Sequence, residues 1–169
     1  FEGPEDYHKR INSKKLNITE NSILIIRGCG PVGYPGSAEV VNMQPPDRLL
    51  KKGINALPTL GDGRQSGTSE SPSILHVSPE SAVGGDLGIV KTGDKMCIDL
   101  NKRRVDLLIS KAEFKKRRKR KKIQKFENQT PWQEIARSNV GQLEDGACIR
   151  SRGLYLEINV KKGIPRNSH

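Results

Sequence analysis

The sequence predicts a mixed α/β fold, a mixed β-barrel or sandwich with short helices at its periphery. Three observations point there. Ser22 to Arg27 is a short, isoleucine-rich apolar run, suited in length and composition to a buried strand. Between Leu87 and Ser110, three short segments are joined by tight polar turns, and two of them alternate apolar with polar residues. The helix signals are brief, with proline near a start and glycine at the stops. Strands are therefore expected to outnumber helices.

Taken in order, the strand at Ser22–Arg27 runs into a glycine-rich loop from Gly28 to Gly36. A short helix is expected from Pro45-Pro46 to Gly53, then a second strand over Ile54–Leu60 and a polar loop from Gly61 to Ser73. Ser78 is placed to cap a further short helix that Gly84-Gly85 would stop. Leu87–Lys91, Lys95–Leu100 and Arg104–Ser110 read as three strands. Met96, Ile98 and Leu100 alternate against Lys95, Cys97 and Asp99, as do Val105, Leu107 and Ile109 with their neighbours. Ser110-Lys111-Ala112-Glu113 has the spacing of a capping box and opens a basic helix over 111–127. A short helix around Trp132–Arg137 and a last strand near Leu154–Val160 complete the reading.

With 169 residues the chain fits one domain of modest core, or a piece of a larger enzyme. Its first residue is Phe1 rather than Met, and a fragment is expected. Mean hydropathy is −0.65. No apolar run approaches the roughly 18–20 residues of a membrane span, and no signal peptide is evident. The net charge of +11 owes eight units to one run, Lys115–Lys122; without it the charge falls to +3. That run is a solvated helical face, a polyanion patch or a disordered stretch. Aromatic residues are only 4%, too few for a platform on which single-stranded bases stack.

Three motifs bear on chemistry. Gly28-Cys29-Gly30-Pro31-Val32-Gly33 matches GxGxxG after a strand, yet Tyr34-Pro35-Gly36 stands where a helix should receive the pyrophosphate. An irregular loop that approaches a ligand closely is the better reading. Glu39 follows it and is either a surface residue or a metal ligand. The loop Gly61-Asp62-Gly63-Arg64-Gln65-Ser66-Gly67-Thr68-Ser69 is either a carboxylate or sugar-acid site, through Arg64, hydroxyls and amides, or an elaborate exposed turn. Cys29, Cys97 and Cys148 are widely spaced and odd in number, without zinc or disulfide spacing. They read as free, buried thiols of a reducing compartment, the cytoplasm. His8, His76 and His169 lie apart from Ser66 in sequence, which gives a hydrolase triad little support.

Together these segments resemble the dihydroxy-acid dehydratase/phosphogluconate dehydratase family. The matching stretches are Phe1 to Tyr7, Arg27 to Val40, Gly61 to Ser69, Ser71 to Leu75, Val140 to Leu143 and Pro165-Arg166. They occur in the right order along nearly the whole chain. The form Gln65-Ser66-Gly67-Thr68-Ser69 is similar to the sugar-acid, pentonate-type branch.

The resemblance implies a C-terminal mixed β-barrel domain of swivelling-domain type with short flanking helices, covering 1–169 and starting just after the barrel's first strand. It implies a hydro-lyase that dehydrates a 2,3-dihydroxy acid to a 2-keto-3-deoxy acid. An iron–sulfur cluster, of 2Fe-2S type, acts on the departing 3-hydroxyl, and magnesium (Mg2+) holds the substrate carboxylate and 2-hydroxyl. The cluster cysteines and most magnesium ligands belong to an N-terminal domain absent here. Glu39 corresponds to a magnesium ligand, Ser66 to the base that takes the C2 proton, and Thr68 to its supporting hydroxyl. Arg64 and His169 are candidate substrate-binding residues. A homo-oligomer, dimer or tetramer, is expected, without membrane or nucleic-acid partners. Glu70 stands where the family has glycine, His76 where it has asparagine, and Leu143–Ala147 departs from Thr-Gly-Gly.

This assignment has a physical rationale. A proton removed beside a carboxylate leaves an enediolate, which a divalent cation stabilises directly. A serine becomes a base near neutral pH only where a neighbouring metal lowers the cost of its alkoxide. The alternative from another class is a non-catalytic module that binds a polyanion through Lys115–Lys122.

Overall fold

Strand β1 (Leu24–Ile26) lies at one edge of a three-stranded parallel sheet, with β2 (Thr59–Gly61) in the middle and β3 (Ser73–Ile74) beyond. Leu24 is in register with Thr59, and Thr59 with Ser73. This is a computed structural model, and it describes residues 1–67, 69–121, 123, 125–150 and 152–163. Thr68, Lys122, His169 and the Pro165-Arg166 pair lie outside the described residues. A second sheet is the antiparallel hairpin of β4 (Met96–Asp99) and β5 (Arg104–Leu107), with Met96 opposite Leu107. The fold is mixed α/β. Among the described residues the sheets do not close into a barrel, and strands do not outnumber helices.

The core gathers under the parallel sheet. Leu24, Ile26, Cys29, Val41, Met43, Leu49 and Leu57 form its buried cluster, joined by Ile11 and Ile18. Ile26 is fully buried, a burial that contributes roughly 1.5–3 kcal/mol. β2 ends in glycine for a reason of space: a Cβ on Gly61 would stand 2.7 Å from the Ile26 side chain. Phe1 covers the outer edge of β1; its amino group donates to the Ile25 carbonyl, and the Arg27 amide donates to the Phe1 carbonyl.

The helices follow their local signals. α1 (Pro4–Arg10) has proline in its first turn and acids at its start. α2 (Asp47–Leu50) begins after Pro46, and the chain leaves it through Gly53 at φ +81°. In α3 (Lys111–Arg120) the Ser110 hydroxyl accepts from the Glu113 amide at 3.1 Å. In α4 (Pro131–Asn139) Thr130 accepts from the Gln133 amide in the same way. α5 (Arg152–Lys162) is the last described element.

Several expectations need correction. The second strand is confined to Thr59–Gly61, because Pro58 has no amide to donate and Ile54 still bonds to Leu49 of the preceding helix. Ser78 is not a cap: a 3-10 turn at Ser81–Val83 starts after Glu80, and Gly84 at φ +98° closes it. Leu87–Lys91 is not a strand but a 3-10 turn over Asp86–Ile89, entered through Gly85, where a Cβ would stand 1.5 Å from the Pro79 carbonyl oxygen, and Leu87 and Ile89 still reach the interior. The basic helix stops at Arg120 rather than 127, with Lys121 already extended. Leu154–Val160 is helical. Its alternating apolar residues also stand four apart, so the pattern suits a helix face, and no described strand pairs with it. Of the cysteines only Cys29 is buried; Cys97 is exposed and Cys148 intermediate.

Candidate active site

The glycine-rich loop and the polar loop meet in a parallel bridge between Glu39 and Arg64. The Arg64 amide donates to the Ala38 carbonyl, and its carbonyl accepts from the Val41 amide, each at 2.9 Å. Arg64 Nε also donates to the Ser37 carbonyl at 2.6 Å. The backbone on both sides of Glu39 is thus fastened to one residue. The Glu39 carboxylate itself is exposed and takes no hydrogen bond or ion pair among the described residues.

Ser66 lies two residues beyond Arg64 and is half-buried. Its carbonyl accepts from the Ser69 amide at 3.1 Å, which turns the loop back. Glu39, Arg64 and Ser66 are therefore on adjoining segments; Thr68 and His169 fall outside the described residues. Glu70 is exposed. His76 holds φ +58°, a left-handed conformation in which Asn and His are both enriched. That departure from the family pattern has a backbone explanation.

Sequence reasoning missed the two residues on which the loops rest. Asp62 and Glu80 are fully buried. Asp62 accepts from the amides of Gly28 (3.0 Å), Cys29 (2.9 Å) and Ser81 (2.8 Å). Glu80 accepts from the amides of Val32 (2.8 Å) and Gly33 (2.9 Å), and from the Gln142 side-chain amide at 2.8 Å. Nothing in the residue pattern separates a carboxylate aimed at amides from one aimed at solvent. The nearest signal is a glycine-rich loop whose amides need acceptors.

These bonds decide the dinucleotide question. The amides that a pyrophosphate would need are taken by protein carboxylates, and no helix opens at Gly33. The cysteines do not fit an iron–sulfur cluster either. Cluster ligation needs thiolates, whereas burial, and next the Asp62 charge, push the Cys29 thiol up to about 12. Among the described residues no three of His, Cys, Asp and Glu converge as a metal site. Glu39, which has no hydrogen-bond or ion-pair partner among the described residues, offers on its braced loop the hard carboxylate oxygen that magnesium prefers.

The basic run is not one uniform patch. Arg117 binds both oxygens of Asp94 and also Glu113. Lys121 donates to the carbonyls of Gly84 and Gly85, and Arg118 pairs with Asp86 at 3.3 Å. These cations dock α3 on the 84–94 segment; Lys115, Lys119 and Arg120 face solvent. No helix among the described residues is long and apolar enough to cross a membrane. A cleft of about 840 Å³ lies between β1 and the start of the hairpin, lined by Phe1, Leu24, Val90 and Met96, and does not include the candidate site residues.

Comparison with known proteins identifies the family of the chain. The family model for the dihydroxy-acid/6-phosphogluconate dehydratase C-terminal domain matches residues 1–147. D-xylonate dehydratase of Caulobacter vibrioides is 54% identical over 169 residues, 100% of this chain and 28% of that protein. L-arabinonate dehydratase of Rhizobium leguminosarum bv. trifolii is 48% identical over 117 residues, 69% of this chain and 20% of that protein. Dihydroxy-acid dehydratase of Thermodesulfovibrio yellowstonii is 39% identical over 150 residues, 88% of this chain and 26% of that protein. The chain thus spans about a quarter of the length of these curated relatives. On the family match over 1–147 and these identities, the chain belongs to the dihydroxy-acid/6-phosphogluconate dehydratase C-terminal family.

Proposed function

We propose that this chain is the serine-bearing part of a hydro-lyase that converts a 2,3-dihydroxy sugar acid to a 2-keto-3-deoxy acid. The observation that carries this reading is the 54% identity to D-xylonate dehydratase along all 169 residues. The Glu39–Arg64 bridge supports it, because it sets a free carboxylate beside the segment that bears Ser66. Ser66 takes the C2 proton, supported by the Thr68 hydroxyl; the 3-hydroxyl leaves as the C2–C3 double bond forms, and the enol becomes the 2-keto product. Arg64 and His169 hold the acid end of the substrate. Glu39 is a magnesium ligand, and magnesium when bound supplies the positive charge that stabilises the enediolate. The iron–sulfur cluster is assigned to the protein's N-terminal domain, since the cysteines here do not fit it.

In the whole protein the two sheets belong to one closed barrel, within a cytoplasmic homo-oligomer. Free thiols suit that reducing compartment. The test is turnover by the full-length enzyme, loaded with iron and magnesium, of D-xylonate, L-arabinonate and a branched-chain 2,3-dihydroxy acid. A higher kcat/KM for either sugar acid is expected. Preference for the branched-chain acid, or no 2-keto product from any of them, overturns the reading.

A further inference from the structure

We propose that Asp62 and Glu80 are positioning residues for the reaction: buried carboxylates that hold the glycine-rich loop where it presents Glu39 to magnesium. This rests on the reading of Glu39 as a magnesium ligand. From Gly28 to Gly33 the loop has no regular structure and needs acceptors for its amides. Four of those amides, on Gly28, Cys29, Val32 and Gly33, donate to the two carboxylates; Pro31 has none to donate. The loop is packed directly on Glu80. A Cβ on Gly30 would meet Glu80 Oε2 at 2.5 Å, and one on Gly33 would meet the Gly28 carbonyl oxygen at 2.2 Å.

From there an unbroken path of bonds leads to the candidate ligand. The Tyr34 amide donates to Gly28 and the Ser37 amide to Gly30. The Ser37 carbonyl accepts from Arg64, whose backbone brackets Glu39. Asp62 and Arg64 lie two residues apart on one segment. That segment therefore holds the loop's beginning with a carboxylate and its end with a guanidinium. Asp62 and Glu80 have no exposed surface, so they cannot touch substrate. They act through Glu39.

A carboxylate is needed because all its lone pairs accept. A side-chain amide of the same shape would turn an N–H group toward backbone N–H donors. Asp62→Asn and Glu80→Gln are therefore the variants to make, in the full-length enzyme, with Glu39→Gln alongside. Magnesium affinity is read by calorimetric titration, and kcat, KM and the unfolding midpoint are read separately. Each variant is expected to weaken magnesium about 10-fold, the lower end for groups that orient a ligand. The fall in kcat should recover at saturating magnesium, with KM for the sugar acid within about twofold. Asp62→Asn added to Glu39→Gln should weaken magnesium no further, because both act on one ligand.

If either variant fails to fold, Gln142→Leu provides a milder version. It removes the donor to Glu80 and the acceptor of the Glu80 amide at 2.9 Å, and a smaller shift in the same direction is expected. The proposal is overturned if Glu39→Gln shifts magnesium affinity while the folded Asp62, Glu80 or Gln142 variants keep it within twofold and lose only unfolding midpoint. If Glu39→Gln leaves magnesium affinity unchanged, the reading of Glu39 fails and takes this proposal with it.

Discussion

Arg117 reaches back from α3 to Asp94 and grips its carboxylate with both terminal nitrogens, at 2.5 and 3.0 Å. Both side chains are nearly buried, at 12% and 10% exposure. The bond to Arg117 holds the Asp94 carboxyl below its ordinary range, and the same guanidinium lowers Glu113. A depressed carboxylate contributes stability that is full above its unfolded value, about 4, and is lost as pH falls through the folded value. Arg117→Met should therefore lower the unfolding midpoint by several degrees at pH 7, and the gap to the parent should close toward pH 3. Lys115→Met and Lys119→Met, on exposed positions, should move it little. Midpoints measured across that pH range decide. A gap that stays constant would mean that packing, not the pair, carries the effect.

Glu39→Gln in the full-length enzyme should raise the magnesium dissociation constant at least about 10-fold and leave bound iron unchanged. On the proposed reading the magnesium ligand set loses one carboxylate oxygen, while no cluster ligand is touched. Magnesium titration and iron analysis of the same preparation check both halves. Coincident titrations of variant and parent would make Glu39 an ordinary surface residue.

Expressed alone, the 169 residues should be colourless and inactive toward sugar acids. Cys29 is buried with its thiol proton held tightly, Cys97 is exposed on the hairpin, and Cys148 is half-buried. Among the described residues no three of His, Cys, Asp and Glu converge to hold a cluster. Visible absorbance with stoichiometric iron and sulfide in this chain would contradict the assignment of the cluster to another domain.

What was legible in the sequence was local. Ser110 and Thr130 cap the helices that follow them through bonds that span three residues, and the alternation around Met96–Leu107 specifies a hairpin. What was not legible depends on distant partners. The 3-10 turn at Asp86–Ile89 is braced by Lys121, more than thirty residues away. Alternating apolar residues from Leu154 to Val160 fit a strand or a helix until a neighbouring strand decides. In the candidate site, Glu39, Arg64 and Ser66 were named from motifs, and the bridge brings their segments together. Asp62 and Glu80 escaped because their partners are backbone amides 34 and 47 residues away, and amides have no residue type to read.

In the proposed mechanism Ser66 is the base that takes the C2 proton. It lies two residues beyond Arg64, whose backbone brackets Glu39, in a turn closed by the Ser69 amide. If it takes the C2 proton, its removal deletes a group needed in the transition state and not for substrate binding. Ser66→Ala should then lower kcat by ~10²–10⁴-fold, the usual contribution of a general base. KM should change little. Thr68→Val should cost less, since it removes support for the alkoxide and not the alkoxide itself. A second readout is independent of turnover: exchange of the substrate's C2 hydrogen with deuterated solvent should stop in Ser66→Ala and persist in Thr68→Val. Near-parental kcat, or continued exchange in Ser66→Ala, would exclude the serine as base. A rise in KM alone would make Ser66 a substrate-binding hydroxyl, and the base would then be sought outside this chain.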